Sequence, residues 1–486
     1  MENHPIAIID IGSNSVRLVI YDALKRAPMP IFNEKLLCGL AKNMDSTGVL
    51  NEEAVPLAIQ TIRRFIQLAL IMNSSEIHLI ATSAVRDAKD GRDFVKEIEK
   101  EHKIEVQIIE GEKEAELAGY GILSSIPGSK GVVADLGGGS LELASIKNHA
   151  IKEKASYPIG PLRICTAKSS LEEQKSIIEQ HLQKFPLDKT LNGKDLYLVG
   201  GAFRNIAKVH MEKVGYPLKV INNYTVTKDD FIKTLDEIGR MTTSRLKNIP
   251  RISSKRVEFL PFTILILRKI IEMGNPENIT FSAYGIREGY LYDQLSSSQK
   301  KEDPLISGCI DITRIMLKDP DYGYELFQWM SPLFANESPK GRRLRLAACL
   351  LHDISSYENT EYRAEMAYRR IMDSSLMGIS HKGRLFLANA LYFRYSNVMD
   401  KKIVSKIQNL LSPQRFLKAK IIGSAIRLGR SISCSHFGVL KETNLQIDED
   451  QITLNLGSYS TSLYGEPLEK RIRNLADLSE REYEIL

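Results

Sequence analysis

The chain has 486 residues, of which 43% are hydrophobic, and its formal net charge is +6. This length exceeds what a single hydrophobic core usually supports, so we expect two to four domains. The five cysteines have no paired spacing, which argues against a disulfide scaffold or a zinc ribbon and favours a cytoplasmic protein; neither a signal peptide nor a membrane span is predicted.

The first domain, residues 1–124, is predicted to be α/β. Its first strand ends near Asp10, which is followed by the small residues Gly-Ser-Asn-Ser and by an alternating second strand. A helical pattern and two further apolar runs come next. The predicted strands are 6–9, 16–21, 77–81 and 106–109, and the predicted helix is 52–72.

The second domain, residues 125–302, begins with a repeat of the same phrase. Asp135 follows an apolar strand and precedes Gly-Gly-Gly-Ser and another strand. Glycine and small hydroxyl residues let successive backbone N–H groups converge on phosphate oxygens, and a neighbouring Asp can hold a divalent cation. The repeat therefore indicates a duplicated domain with two phosphate-binding turns. The predicted phosphate-binding residues on these turns are Ser13, Asn14, Ser15, Gly137, Gly138, Gly139 and Ser140.

Elements after the second turn set the remaining domain boundaries. A strand at 196–199 leads into Gly200-Gly201, and a helix at 286–295 is expected to return to the first domain. Residues 296–304 have the composition of a linker. Beyond it, three- and four-residue apolar spacing predicts an all-α domain at 303–433, followed by a small α+β segment at 434–486. The predicted helices are 342–351, 361–372, 382–395 and 416–432, and the predicted C-terminal hairpin pairs 444–447 with 452–456.

A basic stretch lies within the predicted helical domain. Between Lys401 and Arg430 there are eight Lys or Arg and no Asp or Glu. Such a run is often a solvated helical face, but thirty residues without an acid would also attract a polyanion. Nucleic acid and a phosphate polymer are both candidates at this point. The residues assigned to a polyanion track are Lys418, Lys420 and Arg427.

Five motifs occur in order along the first 300 residues. They are DIGSNSVRL at 10–18, ATSAVRDA at 81–88, EGEKEAE at 110–116, DLGGGSLEL at 135–143 and YGIREG at 284–289. The duplicated turns resemble the acetate and sugar kinase, heat-shock chaperone and actin superfamily. The five motifs together resemble the exopolyphosphatase and guanosine pentaphosphate phosphohydrolase family. This resemblance implies two actin-like ATPase (RNase H-like) domains followed by an HD-like helical domain.

The resemblance also implies a reaction and a catalytic residue. The family removes the terminal phosphate from inorganic polyphosphate, from guanosine pentaphosphate or from both, with a divalent metal such as Mg²⁺, and nucleic acid is not expected as a partner. Its catalytic glutamate corresponds to Glu114 here. A carboxylate in the first turn of a helix can orient a water molecule and accept its proton, although first-turn acids also simply complement a helix N-terminus. Lys113 stands where the family often has a second acid.

Several polar residues are assigned supporting roles beside Glu114. Asp135 is the first choice for the metal contact, with Asp10 and Glu142 as supporting acids, because Mg²⁺ prefers oxygen ligands and keeps several waters. A turn residue or a solvent-facing strand residue is the alternative for these acids. Arg86 follows a strand and small residues, where its guanidinium can reach a phosphate. The adjacent Arg287 and Glu288 are expected to be mainly structural.

One further motif lies in the helical domain. His352 and Asp353 resemble the paired ligands of the HD superfamily of metal-dependent phosphohydrolases. One adjacent pair cannot complete a coordination shell, and no histidine lies between His210 and His352. We therefore expect a degenerate HD-like domain in which the two side chains form hydrogen bonds within the helical core.

Two other classes of function stay open from sequence. An ATP-dependent kinase of the same superfamily would transfer phosphate to a small acceptor. Gly200-Gly201 lies where ATP-using relatives place a nucleoside-binding turn, and base or ribose contacts are expected there if guanosine pentaphosphate is a substrate, although a helix-start turn is the alternative. A noncatalytic sensor would bind polyphosphate or a guanosine nucleotide without turnover. The intact Glu114 favours the hydrolase. The resemblance also implies a homodimer formed through the helical region.

Overall fold

The computed structural model describes residues 4–164, 170–249, 254–316, 318–401, 403 and 410–486. The chain divides into two compact units, Met1–Glu302 and Asp303–Leu486. Two of the eight basic residues in the predicted stretch, Lys402 and Lys406, lie outside the described residues.

The first unit begins with a five-stranded mixed sheet. Its strands are β1 (Ile6–Ile11), β2 (Ser15–Tyr21), β3 (Pro30–Leu37), β4 (Glu76–Ala81) and β5 (Val106–Ile108), in the order β3-β2-β1-β4-β5. Strands β1 and β2 form an antiparallel hairpin, and β4 and β5 run parallel to β1. The edge strand β3 was not predicted, because it is mostly exposed and so has no continuous apolar run. The helices that accompany this sheet are α1 (Met44–Thr47), α2 (Ala54–Ile71), α3 (Ser83–Asp87), α4 (Gly91–His102) and α5 (Gly111–Ser125).

A second, six-stranded sheet follows in the same unit. Its strands are β6 (Gly131–Leu136), β7 (Leu141–Lys147), β8 (Ala150–Tyr157), β9 (Asp195–Val199), β10 (Tyr224–Thr227) and β11 (Asn278–Phe281), in the order β10-β11-β9-β6-β7-β8. The accompanying helices are α6 (Pro161–Ile164), α7 (Leu171–Leu182), α8 (Leu187–Thr190), α9 (Gly201–Lys213), α10 (Lys228–Gly239), α11 (Thr243–Lys247), α12 (Leu260–Gly274), α13 (Ile286–Gln294) and α14 (Ser297–Lys301). Helix α14 lies where a linker was predicted, since Ser296 and Gln299 form a capping box at its start.

The two sheets repeat one topology, as the duplicated sequence phrase predicted. The order β3-β2-β1-β4 in the first sheet corresponds to β8-β7-β6-β9 in the second. The register is also the same, since Asp10 pairs with Arg17 across its hairpin and Asp135 pairs with Glu142 across the other. This is the duplicated α/β architecture of the actin-like ATPases.

Helices α5 and α13 cross at unusually close range. A β-carbon added to Gly289 would lie 1.8 Å from the carbonyl oxygen of Leu117, and one added to Gly121 would lie 2.4 Å from that of Gly285. Only glycine allows this approach. Leu117 and Leu291 from the two helices join the apolar core beneath the first sheet. The start of α5, where the predicted catalytic glutamate lies, is thereby held against a packed scaffold.

Helix α2 is the one described helix with the length and apolar composition to cross a membrane. One face of α2, including Ala58, Ile62 and Phe65, is buried in the core of the first sheet. The opposite face carries Arg63 and Arg64, which form ion pairs with acids on neighbouring elements. These contacts are those of a core helix in a globular domain.

The second unit begins with a helical domain built on one large apolar core. Four of its helices begin in the same way, with an Asp or Ser N-cap followed by proline at the first helical position, which supplies an acceptor for the free N–H groups at the helix start. The four helices whose first and last residues were predicted from the sequence are confirmed, and their ends differ from the prediction by up to three residues. The helices are α15 (Pro304–Ile315), α16 (Pro320–Trp329), α17 (Pro339–Leu350), α18 (Arg363–Met372), α19 (His381–Tyr395) and α20 (Pro413–Ser433).

The C-terminal segment forms a small three-stranded sheet. The predicted hairpin is confirmed as β12 (Asn444–Ile447) and β13 (Gln451–Asn455), followed by α21 (Ser460–Leu463) and the charged helix α22 (Glu466–Leu478). A last strand, β14 (Glu482–Ile485), runs parallel to β13 and was not predicted. It alternates exposed and half-buried residues, so its apolar signal is weak.

Candidate active site

A cavity of about 200 Å³ opens between the two hairpin turns of the first unit. It brings together eight of the predicted site residues: Asp10, Ser13, Asn14, Ser15, Glu114, Asp135, Gly137 and Gly138. Four other predicted residues, all described, lie outside its lining: Arg86, Gly139, Ser140 and Glu142.

The two turns have the same backbone hydrogen bond and press against each other. The N–H of Gly12 donates to the carbonyl of Ser15, and the N–H of Gly137 donates to the carbonyl of Ser140, each at 3.0 Å. A β-carbon on Gly139 would lie 3.1 Å from the hydroxyl of Ser13. Glycine at this position therefore lets the second turn approach the first. The backbone N–H groups and hydroxyls around the cavity are suited to bind phosphate oxygens.

Glu114 lies in the first turn of α5 and lines the cavity. It is only 4% exposed, and its Oε2 accepts a hydrogen bond from Nη1 of Arg86 at 2.9 Å. Burial raises the pKa of this carboxyl to about 7, against the opposing charge of Arg86. Glu112 in the same turn is exposed, as an acid that only complements the helix terminus would be. Glu114 instead has the burial and pKa expected of a general base.

Arg86 is held beside Glu114, outside the cavity lining. Besides its bond to Glu114, its Nη1 donates to the carbonyl of Ile109 at 2.9 Å, and its Nε donates to Asp87 at 3.1 Å. Its guanidinium therefore already has protein acceptors. This geometry favours a role in positioning Glu114, and the predicted direct contact with phosphate stays a prediction.

Asp135 is the buried carboxylate on the second turn. It is 7% exposed, lines the cavity, and its side chain forms no hydrogen bond or ion pair with any residue in the described ranges. Burial raises its pKa to about 6, Arg204 opposes this effect and Asp10 adds to it. A buried carboxylate that faces a cavity without a partner is a suitable oxygen ligand for a divalent cation.

The acids of the site do not form a dense metal cluster. Within the described part of the chain, no group of three or more His, Cys, Asp or Glu side chains is arranged to hold a metal ion. Mg²⁺ commonly binds through one or two carboxylates together with water and substrate phosphates. The donor set around Asp135 therefore fits Mg²⁺ better than an ion that needs an all-protein cage.

Asp10 on the first turn is paired with a residue near the end of the unit. Its Oδ2 accepts from Nη1 of Arg287 at 2.8 Å, and Arg287 lines the cavity. The neighbouring Glu288 accepts from Tyr21 at 2.6 Å and from the backbone N–H of Gly285 at 2.9 Å. Glu288 is thus structural, as expected, whereas Arg287 also presents its charge to the cavity.

Glu142 is buried away from the cavity lining. It is 1% exposed and accepts a hydrogen bond from the hydroxyl of Ser156 at 2.9 Å. Burial, and then the charges of Glu114 and Asp135, raise its pKa well above the ordinary value. Because Glu142 lies outside the lining of the cavity, its assignment as a metal ligand stays a prediction.

The cavity contains functional candidates that were not selected from the sequence. Arg204 and Lys35 add positive charge to the lining, and Thr82 and Ser83 add hydroxyls. The two hydroxyl residues belong to the ATSAVRDA motif and were detectable there, whereas Lys35 lies on the unpredicted strand β3. Counted over the described residues, the lining has four basic residues and three acidic ones, a balance that favours an anionic ligand. The basic residues are Arg17, Lys35, Arg204 and Arg287.

The three residues of the predicted polyanion track lie on one helix, α20, but differ in their neighbours. Lys418 lies 3.4 Å from Glu337, so an acid already offsets its charge. Lys420 and Arg427 are seven residues apart, about two turns of α20, and therefore share one side of the helix. Arg427 lines a cavity in the second unit.

His352 and Asp353 form hydrogen bonds within the helical core, as predicted. Nδ1 of His352 contacts the carbonyl oxygen of Cys349 at 2.9 Å, and burial lowers the pKa of the imidazole to about 4. Asp353 accepts from Nη2 of Arg394 at 2.9 Å and from Nε of Arg430 at 3.1 Å. Oδ1 of Asp353 is therefore already used as an acceptor by two arginines.

The repeated sheets and the cavity between their turns define a member of the actin-like ATPase superfamily. Residues 19–298 match the model of the Ppx/GppA phosphatase family, and residues 306–486 match the model described as exopolyphosphatase, C-terminal. The chain belongs to the Ppx/GppA phosphatase family.

Three relatives illustrate this similarity. Exopolyphosphatase 1 of Mycobacterium tuberculosis is 33% identical over 162 residues, which are 33% of this chain and about half, 47%, of that protein. Guanosine-5'-triphosphate,3'-diphosphate pyrophosphatase of Aeromonas hydrophila is 23% identical over 484 residues, covering 94% of each chain. The crystal structure of an exopolyphosphatase from Cytophaga hutchinsonii superposes with a TM-score of 0.54 at 25% identity, covering 60% of this chain and 97% of that one.

Proposed function

We propose that the protein hydrolyses the terminal phosphoanhydride bond of inorganic polyphosphate and releases orthophosphate. The observation that carries the proposal is the position of Glu114, a buried carboxyl with a pKa of about 7 that lines the cavity between two phosphate-binding turns. The names of the mycobacterial and Aeromonas relatives, an exopolyphosphatase and a pyrophosphatase, support phosphoanhydride hydrolysis.

In the proposed reaction, Glu114 accepts a proton from a water molecule as the water oxygen forms a bond to the terminal phosphorus. The bond from that phosphorus to the bridging oxygen breaks, and its electron pair stays on the shortened chain. The products are orthophosphate and a polyphosphate one unit shorter. Glu114 then returns its proton to solvent.

Positive and polar groups around the cavity would stabilise the phosphoryl group during this transfer. Ser13 and Ser83, whose hydroxyls lie 2.9 Å apart, and the backbone of the second turn offer hydrogen bonds. Arg204 on α9 and Arg287 on α13 also line the cavity and offer positive charge. Arg86 acts through Glu114 in this scheme, because it fixes the carboxylate and opposes the rise in its pKa.

A divalent cation belongs to this proposal. Asp135 would hold Mg²⁺, with Asp10 as a further carboxylate in the same cavity lining, and Glu142, which lies outside that lining, as a supporting acid. When bound, Mg²⁺ would neutralise charge on the phosphate oxygens. The carboxylate of Asp135 lines the cavity and accepts no hydrogen bond from the described residues, which supports this assignment.

Guanosine pentaphosphate is the second candidate substrate. Gly200, Gly201 and Ala202 line the same cavity, together with Phe259. Gly200 has φ +102°, and a β-carbon there would lie 2.9 Å from Oδ1 of Asp135. A nucleoside bound at this turn would therefore lie beside the proposed metal ligand. The name of the Aeromonas relative supports this substrate.

Side-by-side hydrolysis of the two substrates tests the proposal. Purified protein with Mg²⁺ and no acceptor should release orthophosphate from polyphosphate, from guanosine pentaphosphate or from both. Glu114→Gln should lower the release by about 10²- to 10⁴-fold, the usual contribution of a general base. Glu112→Gln, in the same helical turn but exposed, should remain active.

Two results would contradict this function. Phosphate transfer to a small acceptor, without release from polyphosphate, would identify a kinase. Tight binding of either substrate without turnover across several divalent metals would identify a sensor.

The cytoplasmic location and the homodimer are further parts of the proposal. The four described cysteines are all free, as suits a reducing compartment. Sedimentation equilibrium tests the oligomeric state, since a homodimer would have twice the 54.8 kDa mass of the chain. A single species at the mass of one chain would contradict the homodimer.

A further inference from the structure

A cavity in the second unit is dominated by arginine. It has a volume of about 260 Å³, and its lining contains no Asp or Glu among the described residues. Guanidinium groups gathered around one cavity repel each other, and a bound anion would relieve that repulsion. The five arginines are Arg363, Arg394, Arg427, Arg430 and Arg471.

Asp353, which is not among the residues that line the cavity, holds two of these arginines. It is buried, and its Oδ1 accepts hydrogen bonds from Arg394 and Arg430, while Ser435 donates to Oδ2 at 3.1 Å. One carboxylate cannot neutralise five guanidinium groups. The residue that resembles an HD-type metal ligand is therefore used to orient arginine.

Within the part of the chain that the structure describes, the remaining contacts of the cluster are to neutral groups. Arg427 donates to the amide oxygen of Asn397 at 2.6 Å, Arg471 donates to the hydroxyl of Ser431, and Arg363 donates to the carbonyl of Glu358 at 2.9 Å. Burial, followed by neighbouring arginines, lowers the pKa of both Arg427 and Arg471. No acid among the described residues therefore forms an ion pair with either of these two arginines.

Arg394 supplies an independent sign of a missing ligand. It is only 7% exposed, and its Nε is buried without a hydrogen-bond partner among the described residues. A buried guanidinium N–H that donates to nothing is costly, because its desolvation is not offset by a hydrogen bond. An anion in the cavity that Arg394 lines could provide the acceptor.

A second cavity of about 170 Å³ shares two of these arginines. Arg427 and Arg471 line both cavities, and Lys470 adds a cation to the second. The described lining of this cavity also lacks Asp and Glu. The cationic lining therefore extends over both cavities, which together offer more room than a single phosphoryl group needs. The planar fork of arginine matches the oxygens of phosphate especially well.

We propose that these two cavities form a second phosphate site, which binds the pyrophosphate group of a small anion. Inorganic pyrophosphate, a short polyphosphate and a nucleoside diphosphate share this chemistry. The site does not depend on the Glu114 reaction, so it can be tested even if hydrolysis fails. Its charged core is Arg394, Arg427, Arg430 and Arg471.

Calorimetric titration of the full chain tests the site. All proteins carry Glu114→Gln, so the ligand is not consumed, and EDTA removes divalent ions. Inorganic pyrophosphate should bind, and Arg427→Gln with Arg471→Gln should weaken that binding at least about tenfold, because the double variant loses charge-assisted hydrogen bonds to the phosphate oxygens. Binding in the cleft of the first unit is common to all variants, so the difference isolates the second site.

Controls separate the cavity from general basicity and from misfolding. Arg415→Gln, exposed on the same helix α20, should leave the affinity unchanged. The Arg427→Lys, Arg471→Lys protein keeps the two positive charges but lacks the planar guanidinium groups, so it should bind pyrophosphate with intermediate affinity. If the double Gln variant does not fold, Arg471→Gln alone should show a smaller loss in the same direction.

Tripolyphosphate and guanosine diphosphate are titrated into the same set of variants. The ligand whose affinity falls most in the double variant identifies the source of the pyrophosphate group. Equal affinity for pyrophosphate with and without Arg427 and Arg471 would overturn the proposal, as would an equal loss in Arg415→Gln.

Discussion

Arg86 donates a hydrogen bond to Glu114 over 2.9 Å, and this pair opposes the effect of burial on the carboxyl at the cavity wall. Without the guanidinium, the buried carboxyl would hold its proton to still higher pH. The pair therefore sets the range of pH in which Glu114 can accept a proton from water.

We expect the rate of phosphate release to rise with pH through about 7, because Glu114 must be ionised to act as a base. Arg86→Met removes an opposing positive charge, so the acid limb of kcat/KM should move to higher pH by about one unit or more. Profiles of orthophosphate release against pH measure this shift, with exposed Arg92→Met as the control. A uniform fall in rate at every pH would instead assign Arg86 to the phosphate.

Asp135→Asn should stabilise the metal-free protein at pH 7.5. The pKa of Asp135 is raised to about 6 in the folded state, so its contribution to stability is present below about pH 4 and is lost as pH rises through about 6. Removing the charge should recover about 2 to 3 kcal/mol at pH 7.5 and nothing near pH 3.5. Thermal unfolding at the two pH values measures the difference.

Mg²⁺ should raise the Tm of the unmodified protein at pH 7.5 and raise that of Asp135→Asn much less. This follows because a bound cation stabilises only the folded state that holds it. Asp229→Asn, on an exposed position of α10, is the matched control and should respond to Mg²⁺ normally. Equal stabilisation of Asp135→Asn would remove this residue from the metal site.

Gly289→Ala should destabilise the first unit by about 1 to 3 kcal/mol or more, because the new methyl group would lie 1.8 Å from the carbonyl oxygen of Leu117 and force α5 and α13 apart. Gly239→Ala, at the end of α10, meets no atom within 4 Å and should be close to neutral. Urea unfolding compares the two. If Gly289→Ala left the free energy of unfolding unchanged, the two helices could move apart without cost, which would contradict this prediction.

Lys420→Gln should slow turnover of long polyphosphate more than Lys418→Gln does. Glu337 already offsets the charge of Lys418, whereas Lys420 shares a side of α20 with Arg427. Long-range steering is screened by salt, so the difference should shrink as ionic strength rises. Initial rates at several salt concentrations measure it, and identical rates for the two variants would count against the track.

The sequence by itself determined the features that depend on neighbouring residues. Asp followed by small residues between two apolar strands specifies each turn. Asp10 and Arg17 are as far apart in the sequence as Asp135 and Glu142, and this equal spacing matches the register that the two hairpins share. Apolar periodicity located the main helices, since burial of one helix face imposes that spacing. The edge strands β3 and β14 were missed because exposed positions impose no such pattern.

Only the tertiary structure decided which distant groups meet. It paired Glu114 with Arg86, brought Arg287 from the end of the first unit to Asp10, and removed Glu142 from the cavity lining. It also gathered arginines from four helices around one cavity and bonded two of them to Asp353, where the sequence suggested a degenerate metal ligand. Burial and the charge of nearby groups set the pKa of a side chain, and both depend on the packing of elements that are far apart in the chain.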